Sequence, residues 1–270
     1  MIDGKKIAEE ITERLKRAPR PEKFLGAMLV GNDSASINFL KQKERAAQAL
    51  GVPFRLYELP VGITTDDLRG KVGVLARPKN CGGFIVQLPL PDAINRHYVL
   101  NAIPKDKDVD LLSEAALGAF YTGRSRVVPP SVGTVEEILK LEQRDLRDLT
   151  VVMVGAGFLI GKPVGFWLQS KVAELIVLDS AVKDLHGKLG GADIVVSGAG
   201  HAGLFGAEHL KEGAVVIDFG FDRGADGKIA GDFDAAGADA KNIHYTRTPG
   251  GTGPVLVAKL FENFYTLNNK

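Results

Sequence analysis

The sequence predicts an α/β protein of two domains, and three observations carry that prediction. Short continuous apolar runs recur along the chain with helical segments between them, the pattern of a parallel sheet covered on both faces. The alternation pauses once, at TGRSRVVPPSVG (Thr122–Gly133), where Gly, Ser and Pro cluster. It then resumes with shorter, cleaner strands. A chain of 270 residues has room for one large domain or two modest ones.

Taken in order, helical periodicity over Lys5–Lys16 precedes the apolar run FLGAMLV (Phe24–Val30). The next helix is SINFLKQKERAAQAL (Ser36–Leu50). Its apolar residues fall at Phe39, Leu40, Ala46, Ala47 and Leu50, one stripe at the 3.6-residue period, and Lys43 sits in the middle of it. The strand FRLYEL (Phe54–Leu59), a helix near Thr65–Leu75 and the strand GGFIVQL (Gly82–Leu88) follow. After the pause, the helix TVEEILKLEQ leads into four strand–helix repeats on LTVVMVG, ELIVLD, DIVVSG and AVVIDFG. RTPGGTGP then precedes a closing amphipathic helix, VLVAKLFENFYTL. The domain boundaries therefore fall near Pro129–Pro130 and again near Gly250–Gly253.

Composition excludes several classes of function. The 34 basic residues nearly cancel the 33 acidic ones, so there is no electrostatic case for nucleic acid or an anionic membrane. One cysteine, Cys81, rules out an internal disulfide framework and fits a reducing compartment; it reads as a small buried hydrophobe. The N-terminus MIDGKKIAEEITERLKRA is charged and amphipathic, unlike a signal peptide. No apolar run approaches the roughly 20 residues of a membrane span. A soluble, cytoplasmic protein is expected.

The run LTVVMVGAGFLIGKPVG places Gly155, Gly157 and Gly161 between a strand and a helix. A turn there aims backbone N–H groups and the positive end of the helix dipole at a phosphate. The spacing, GxGxxxG, is one residue longer than the common dinucleotide fingerprint. The flanking strand and helix are what make this triplet more than chance and point to a Rossmann-type unit. Asp179 ends the next strand, where an acid commonly accepts from the adenosine ribose and repels a 2′-phosphate. A turn or helix-cap aspartate is the alternative there. The second cluster, PGGTGP (Pro249–Pro254), is compatible with ordinary turn chemistry. With one such loop at each domain junction, a ligand cleft between domains is the expectation.

A lysine on a buried stripe has two readings. Its stem can cover apolar surface while the amine reaches water, or burial can depress its pKa until it serves as a base or nucleophile. Gln87, in VQLPLP, lies near the C-terminal edge of the first sheet, where ligands gather. PKDKDVDLL brings Asp106, Asp108 and Asp110 into one loop, which taken alone reads as a solvated turn.

Together these stretches resemble the bifunctional methylenetetrahydrofolate dehydrogenase/cyclohydrolase family, over nearly the whole chain and in the family's order. VGNDSASINFLKQK looks like its folate-site helix, GGFIVQLPLP like its most specific signature, and PKDKDVD like its aspartate loop. VVPPSV resembles the entry to its second domain, GAGFLIGKP its cofactor loop and PGGTGPVLVA its closing signature. The resemblance implies a folate-binding domain over residues 1–130, completed by the C-terminal helix 252–270, and a Rossmann-type NAD(P)-binding domain over residues 131–251, with a cleft between them. It implies oxidation of 5,10-methylenetetrahydrofolate with NAD or NADP and hydrolysis of the methenyl product to 10-formyltetrahydrofolate, in a homodimer without metal. Lys43 takes the role of catalytic base, Gln87 orients it and Asp110 holds the pterin. Further substrate contacts are implied at Phe39, Leu88, Pro89, Pro249, Gly250 and Gly251. Dinucleotide contacts are implied at Gly155, Ala156, Gly157, Ile160 and Gly161, and at Asp179, Ser180 and Gly220.

Four departures from the family pattern qualify this. Phe39 stands where the family usually has tyrosine, removing a hydroxyl one turn before the lysine, so hydrolysis is expected to suffer more than hydride transfer. Ala156 and Gly157 replace an Arg-Ser pair suited to a 2′-phosphate; with Asp179 this favours NAD+ over NADP+. Leu111 replaces a glycine after the aspartate loop, and Leu256 a threonine in the closing signature. The competing expectations are a dehydrogenase with weakened hydrolysis and a non-catalytic folate- or nucleotide-binding protein.

Overall fold

The computed structural model describes residues 1–223 and 227–269. The chain divides into two compact units, Glu9–Pro130 with Val257–Lys270, and Ser131–Leu256 with Met1–Ala8.

The first unit begins within helix α1 (Gly4–Lys16) and alternates regularly thereafter: β1 (Phe24–Val30), α2 (Ser34–Leu50), β2 (Phe54–Leu59), α3 (Thr65–Ala76) and β3 (Cys81–Val86). The three strands form a parallel sheet in the order β2-β1-β3. Every residue of β1 and β3 is buried, which is why both read as unbroken apolar runs. β2 lies at an edge and is only partly covered, so Arg and Glu are tolerated in it. Cys81 is buried and its thiol donates to Gly83 O at 3.3 Å. The connections are closed by local chemistry. Asp33 caps α2 by accepting from Ser36 N at 2.7 Å, and Gly51 ends it at φ 65°, a conformation that costs glycine nothing. Two further helices, α4 (Arg96–Leu100) and α5 (Glu114–Tyr121), are too short for periodicity to reveal.

The second unit opens with α6 (Pro130–Glu142), followed by β4 (Thr150–Val154), α7 (Gly161–Leu168), β5 (Glu174–Leu178), α8 (Leu185–Leu189) and β6 (Ile194–Ser197). Then come β7 (Phe205–Gly206), β8 (Val215–Asp218), β9 (Asp222–Arg223), β10 (Ile229–Ala230), β11 (Phe233–Asp234) and β12 (His244–Tyr245). The main sheet is five-stranded and parallel, in the order β12-β8-β6-β4-β5. Its fifth strand, β12, is two residues long and invisible to hydropathy patterning. Chain order runs outward from β4 to β5 and then crosses back to β6, so β4 and β6 flank the topological switch point. Val152, Val154, Val195, Val216, Phe205 and Phe233 belong to the core packed on this sheet.

The last helix, α9 (Thr252–Asn268), begins in the second unit and from Val257 onward belongs to the first. There Phe264 is fully buried against Gly82 and Gly83 of β3; a Cβ at either glycine would come within 3.0 Å of the ring. Asn263 Nδ2 donates to Val109 O at 2.9 Å and to Val128 O at 2.8 Å, fastening the helix to two loops. Among the described residues no helix is long and apolar enough to cross a membrane.

Candidate active site

In the first unit the residues singled out from the sequence meet around one ammonium group. Ser36, Leu40, Lys43, Ala47 and Leu50 form the buried face of α2, and Lys43 is only 4% exposed, so its amine does not reach water. Gln87 Oε1 accepts from Lys43 Nζ at 3.1 Å, Asp110 Oδ2 lies 3.9 Å from the same nitrogen, and the Phe39 ring centroid is 4.9 Å away.

Each partner is held by its own element. Gln87 follows β3 and continues the ladder, its N–H donating to Met28 O at 2.9 Å. Its Nε2 donates to Leu88 O at 2.8 Å, which turns the amide so that the oxygen faces the lysine. The half-buried Leu88 and the exposed Pro89 follow, joined by a cis peptide bond.

The aspartate run departs from a uniformly solvated turn. Asp106 is exposed, Asp108 is fully buried, and the Asp110 side chain is 19% exposed. Asp108 accepts from Leu112 N at 3.0 Å and Ser113 N at 2.8 Å, folding the loop around its carboxylate. Leu111, next to Asp110, adopts φ 53° with its side chain 1% exposed. Lys107 Nζ donates to Ala76 O, Arg77 O and Pro78 O at 2.7–2.9 Å, binding the loop to the end of α3.

The electrostatics follow from burial. Desolvation pushes the Lys43 pKa down, opposed by the Asp110 charge, and pushes Asp110 up, opposed by Lys43. Burial thus narrows the difference in proton affinity between the two groups. Asp108 is raised to about 6, chiefly by burial.

In the second unit the glycine loop lies beyond β4. Gly155 has φ 93° and donates to Leu178 O at 2.8 Å, which sets the exposed Asp179 beside the loop. A Cβ on Gly161 would overlap the Gly155 carbonyl, so the helix starts against the loop itself. Ile160 precedes α7, and no side-chain hydrogen bond caps the helix. These features fit a phosphate cradle. Ala156 is half-buried, and Gly157 and Ser180 are exposed. Asp179 Oδ1 accepts from Ala181 N at 2.9 Å, so this carboxylate also serves its own turn. Gly220 is buried against Asp232, where a Cβ would overlap the carboxylate. Pro249, Gly250 and Gly251 form the loop before α9; Gly250 has φ 98°, and a Cβ on Gly4 would overlap the Gly251 carbonyl. Among the described residues no cluster of His, Cys, Asp or Glu could hold a metal ion.

Periodicity and motif spacing passed over three buried polar residues at the ends of β6 and β8 and beyond them: Ser197, Asp218 and Asp232. The one local signal was an acid ending an apolar strand in VVIDFG.

A parallel sheet with a glycine loop at its switch point, in a chain whose other unit buries a lysine–glutamine–aspartate group, places the protein in the class of two-domain α/β proteins with a Rossmann-type unit. Residues 2–110 match the tetrahydrofolate dehydrogenase/cyclohydrolase catalytic domain, and residues 129–270 match the NAD(P)-binding domain of that family. The bifunctional protein FolD of Bacillus licheniformis is 34% identical over 97% of this chain and 95% of its own. The bifunctional FolD methylenetetrahydrofolate dehydrogenase/cyclohydrolase of Campylobacter jejuni superposes with a TM-score of 0.92 at 32% identity, covering 98% of this chain and 97% of that one. The Trypanosoma brucei enzyme, solved with NADP cofactor and inhibitor, gives 0.89 at 31% identity, covering 99% and 96%. The chain belongs to the tetrahydrofolate dehydrogenase/cyclohydrolase family.

Proposed function

We propose that this protein oxidises 5,10-methylenetetrahydrofolate, with NAD+ preferred over NADP+, and hydrolyses the methenyl product to 10-formyltetrahydrofolate through proton transfer at Lys43. The observation that carries the reading is the buried Lys43 amine, its Nζ 3.1 Å from Gln87 Oε1 and 3.9 Å from Asp110 Oδ2. A protein that only bound folate would have no use for a desolvated amine held at two oxygens.

When bound, the nicotinamide supplies the hydride acceptor. The chain's part in that step is orientation, because two flanking nitrogens already stabilise the carbocation the substrate becomes. In hydrolysis, neutral Lys43 takes a proton from water as the water oxygen bonds to the methenyl carbon. The resulting ammonium returns that proton to the ring nitrogen as its bond to the carbon breaks, and the hydroxyl left on the carbon releases its own proton to solvent as the formyl C=O forms. Gln87 holds the amine in place through both transfers. Asp110 receives paired N–H donors from the aminopyrimidine edge of the pterin and stabilises the ammonium form.

Cofactor choice rests on charge. Asp179, exposed beside the Gly155 loop, accepts from a ribose diol but repels a 2′-phosphate, and Ala156 offers no cation to offset it. The ratio of kcat/KM for NAD+ to that for NADP+ tests this: a value above one is expected, and a clear NADP+ preference overturns it.

Phe39 supports a second reading in which the dehydrogenase outpaces the hydrolase. Its ring 4.9 Å from Nζ favours the charged amine and carries no hydroxyl to align water. Both readings are tested by following methenyl absorbance with either cofactor. In Lys43→Met, hydrolysis should fall about 100-fold or more while hydride transfer falls far less. Equal losses would remove Lys43 from the proton-transfer role.

A further inference from the structure

The second unit contains a polar assembly that neither the glycine loop nor the lysine site uses. Asp232 is fully buried, and its carboxylate takes three hydrogen bonds, all from one short stretch. Ser197 Oγ donates to Oδ2 at 2.5 Å, Ala199 N to Oδ2 at 2.8 Å and His201 N to Oδ1 at 2.8 Å. These donors span the end of β6 and the loop after it. A carboxylate accepting bonds of this kind from a single loop fixes that loop more firmly than neutral contacts can.

The position of the loop gives the assembly its meaning. Gly198 N donates to Val154 O at 2.9 Å, so the loop after β6 is stitched to the end of β4. Gly155 and Gly198 lie so close that a Cβ on Gly155 would sit 2.9 Å from Gly198 O, and a Cβ on Gly198 would sit 2.9 Å from Ile160 Cγ2. The two loops therefore form the walls of the switch-point crevice, where dinucleotides lie across the sheet edge. With the phosphates at α7 and the adenosine at the end of β5, the remaining half of the molecule falls on the opposite side of β4, over β6. That is the loop Asp232 holds.

A second buried carboxylate braces the first. Asp218 Oδ1 accepts from Gly220 N at 2.6 Å and Oδ2 from Phe233 N at 3.1 Å, while Thr246 Oγ1 accepts from Asp218 N at 2.8 Å. The Phe233 bond ties the backbone directly after Asp232 to the end of β8. Burial raises Asp218 to about 6, and the Asp232 charge adds to the rise.

We infer that Asp232 is a positioning residue for hydride transfer: through Ser197, Ala199 and His201 it sets the wall of the crevice against which the nicotinamide half of the dinucleotide is placed. The inference rests on the dinucleotide reading of this unit. Its consequence is a split between the two halves of the cofactor and between the two reactions.

The test is Asp232→Asn in the full chain, which keeps the shape but replaces one acceptor with a donor facing backbone N–H groups. Three quantities are measured: hydride transfer with methylenetetrahydrofolate, hydrolysis of methenyltetrahydrofolate without dinucleotide, and the Kd of ADP-ribose, which lacks the nicotinamide. Hydride-transfer kcat/KM should fall about 30-fold, as for a lost charged hydrogen bond. Hydrolysis and ADP-ribose affinity should stay within about twofold, whereas general loosening of the unit would weaken ADP-ribose in parallel. Hydride transfer within about threefold of wild type, or a parallel loss of ADP-ribose binding, overturns the inference. If Asp232→Asn does not fold, Ser197→Ala removes one donor and leaves the carboxylate. Its kcat should fall about fivefold with ADP-ribose affinity unchanged, and an unchanged kcat overturns the inference. Wild-type protein that fails to bind ADP-ribose sinks the dinucleotide reading; an indifferent Asp232→Asn sinks only the role given to Asp232.

Discussion

Replacing Asp110 with asparagine separates the two jobs assigned to that carboxylate. At 3.9 Å from Lys43 Nζ, a full charge interacts with the ammonium by about 4 kcal/mol at an effective dielectric constant of about 20. Losing that charge should depress the Lys43 pKa further. The sign is definite, because Asp110 raises the lysine while burial lowers it. The assay is the decay of methenyl absorbance under saturating substrate across pH 5–9, since the pH dependence of kcat reports groups in the bound complex. In Asp110→Asn the acid limb of that profile should move to lower pH. Meanwhile KM should rise about 10- to 100-fold for the lost charged contacts to the pterin. An acid limb that stays in place or moves upward, with KM raised, would show that Asp110 binds substrate without tuning the lysine.

Three further outcomes follow from the same geometry. Phe39→Tyr should accelerate methenyl hydrolysis several-fold relative to hydride transfer; a hydrolysis rate that does not change removes the significance given to this position. In Leu111→Gly, relief of a left-handed backbone returns about 1–2 kcal/mol, but losing a buried leucine costs about 2–5 kcal/mol, so urea melts should show net destabilisation. A stabilised variant would mean that strain dominates at this turn. Asp108 and Asp218 both hold protons up to about 6 in the folded state, above the ordinary aspartate value near 4. Each therefore adds stability as pH falls from about 6 to about 4, on the order of 3 kcal/mol, and that contribution is lost as pH rises through 6. Asp108→Asn should remove its share of the slope; melts from pH 4 to 7 that keep the same slope would refute the assignment.

Elements whose signal lies in adjacent residues were legible from the sequence. The unbroken apolar runs became β1, β3 and β4, and the misplaced lysine was visible because Leu40, Ala47 and Leu50 set the stripe it interrupts. What periodicity could not show was the lysine's company, since Gln87 and Asp110 reach it from separate loops. The proline-punctuated strand end and the aspartate run hinted at both. Taken alone, the aspartate run reads as a solvated turn because local composition says nothing of Asn263, which clamps Val109 from the far end of the chain. Asp232 escaped for a similar reason: in AGDFDAAGAD it looks like another turn residue, and the donors at Ser197, Ala199 and His201 are what reveal a fully buried carboxyl group. Short elements such as α4 and β12 have too few residues for either period to register.

The return of α9 to β3 has a consequence for how the protein is made. Phe264 fills the space left by Gly82 and Gly83, and Asn263 ties down the backbone next to Asp110. Ribosomes deliver the chain from its N-terminus, and domains fold as their residues emerge. Glu9–Pro130 therefore leaves the ribosome with a gap over β3 and an untethered aspartate loop, and waits through synthesis of the entire nucleotide-binding sheet for the segment that completes it. Translation stalled anywhere before Val257 should yield a nascent first unit that chaperones retain.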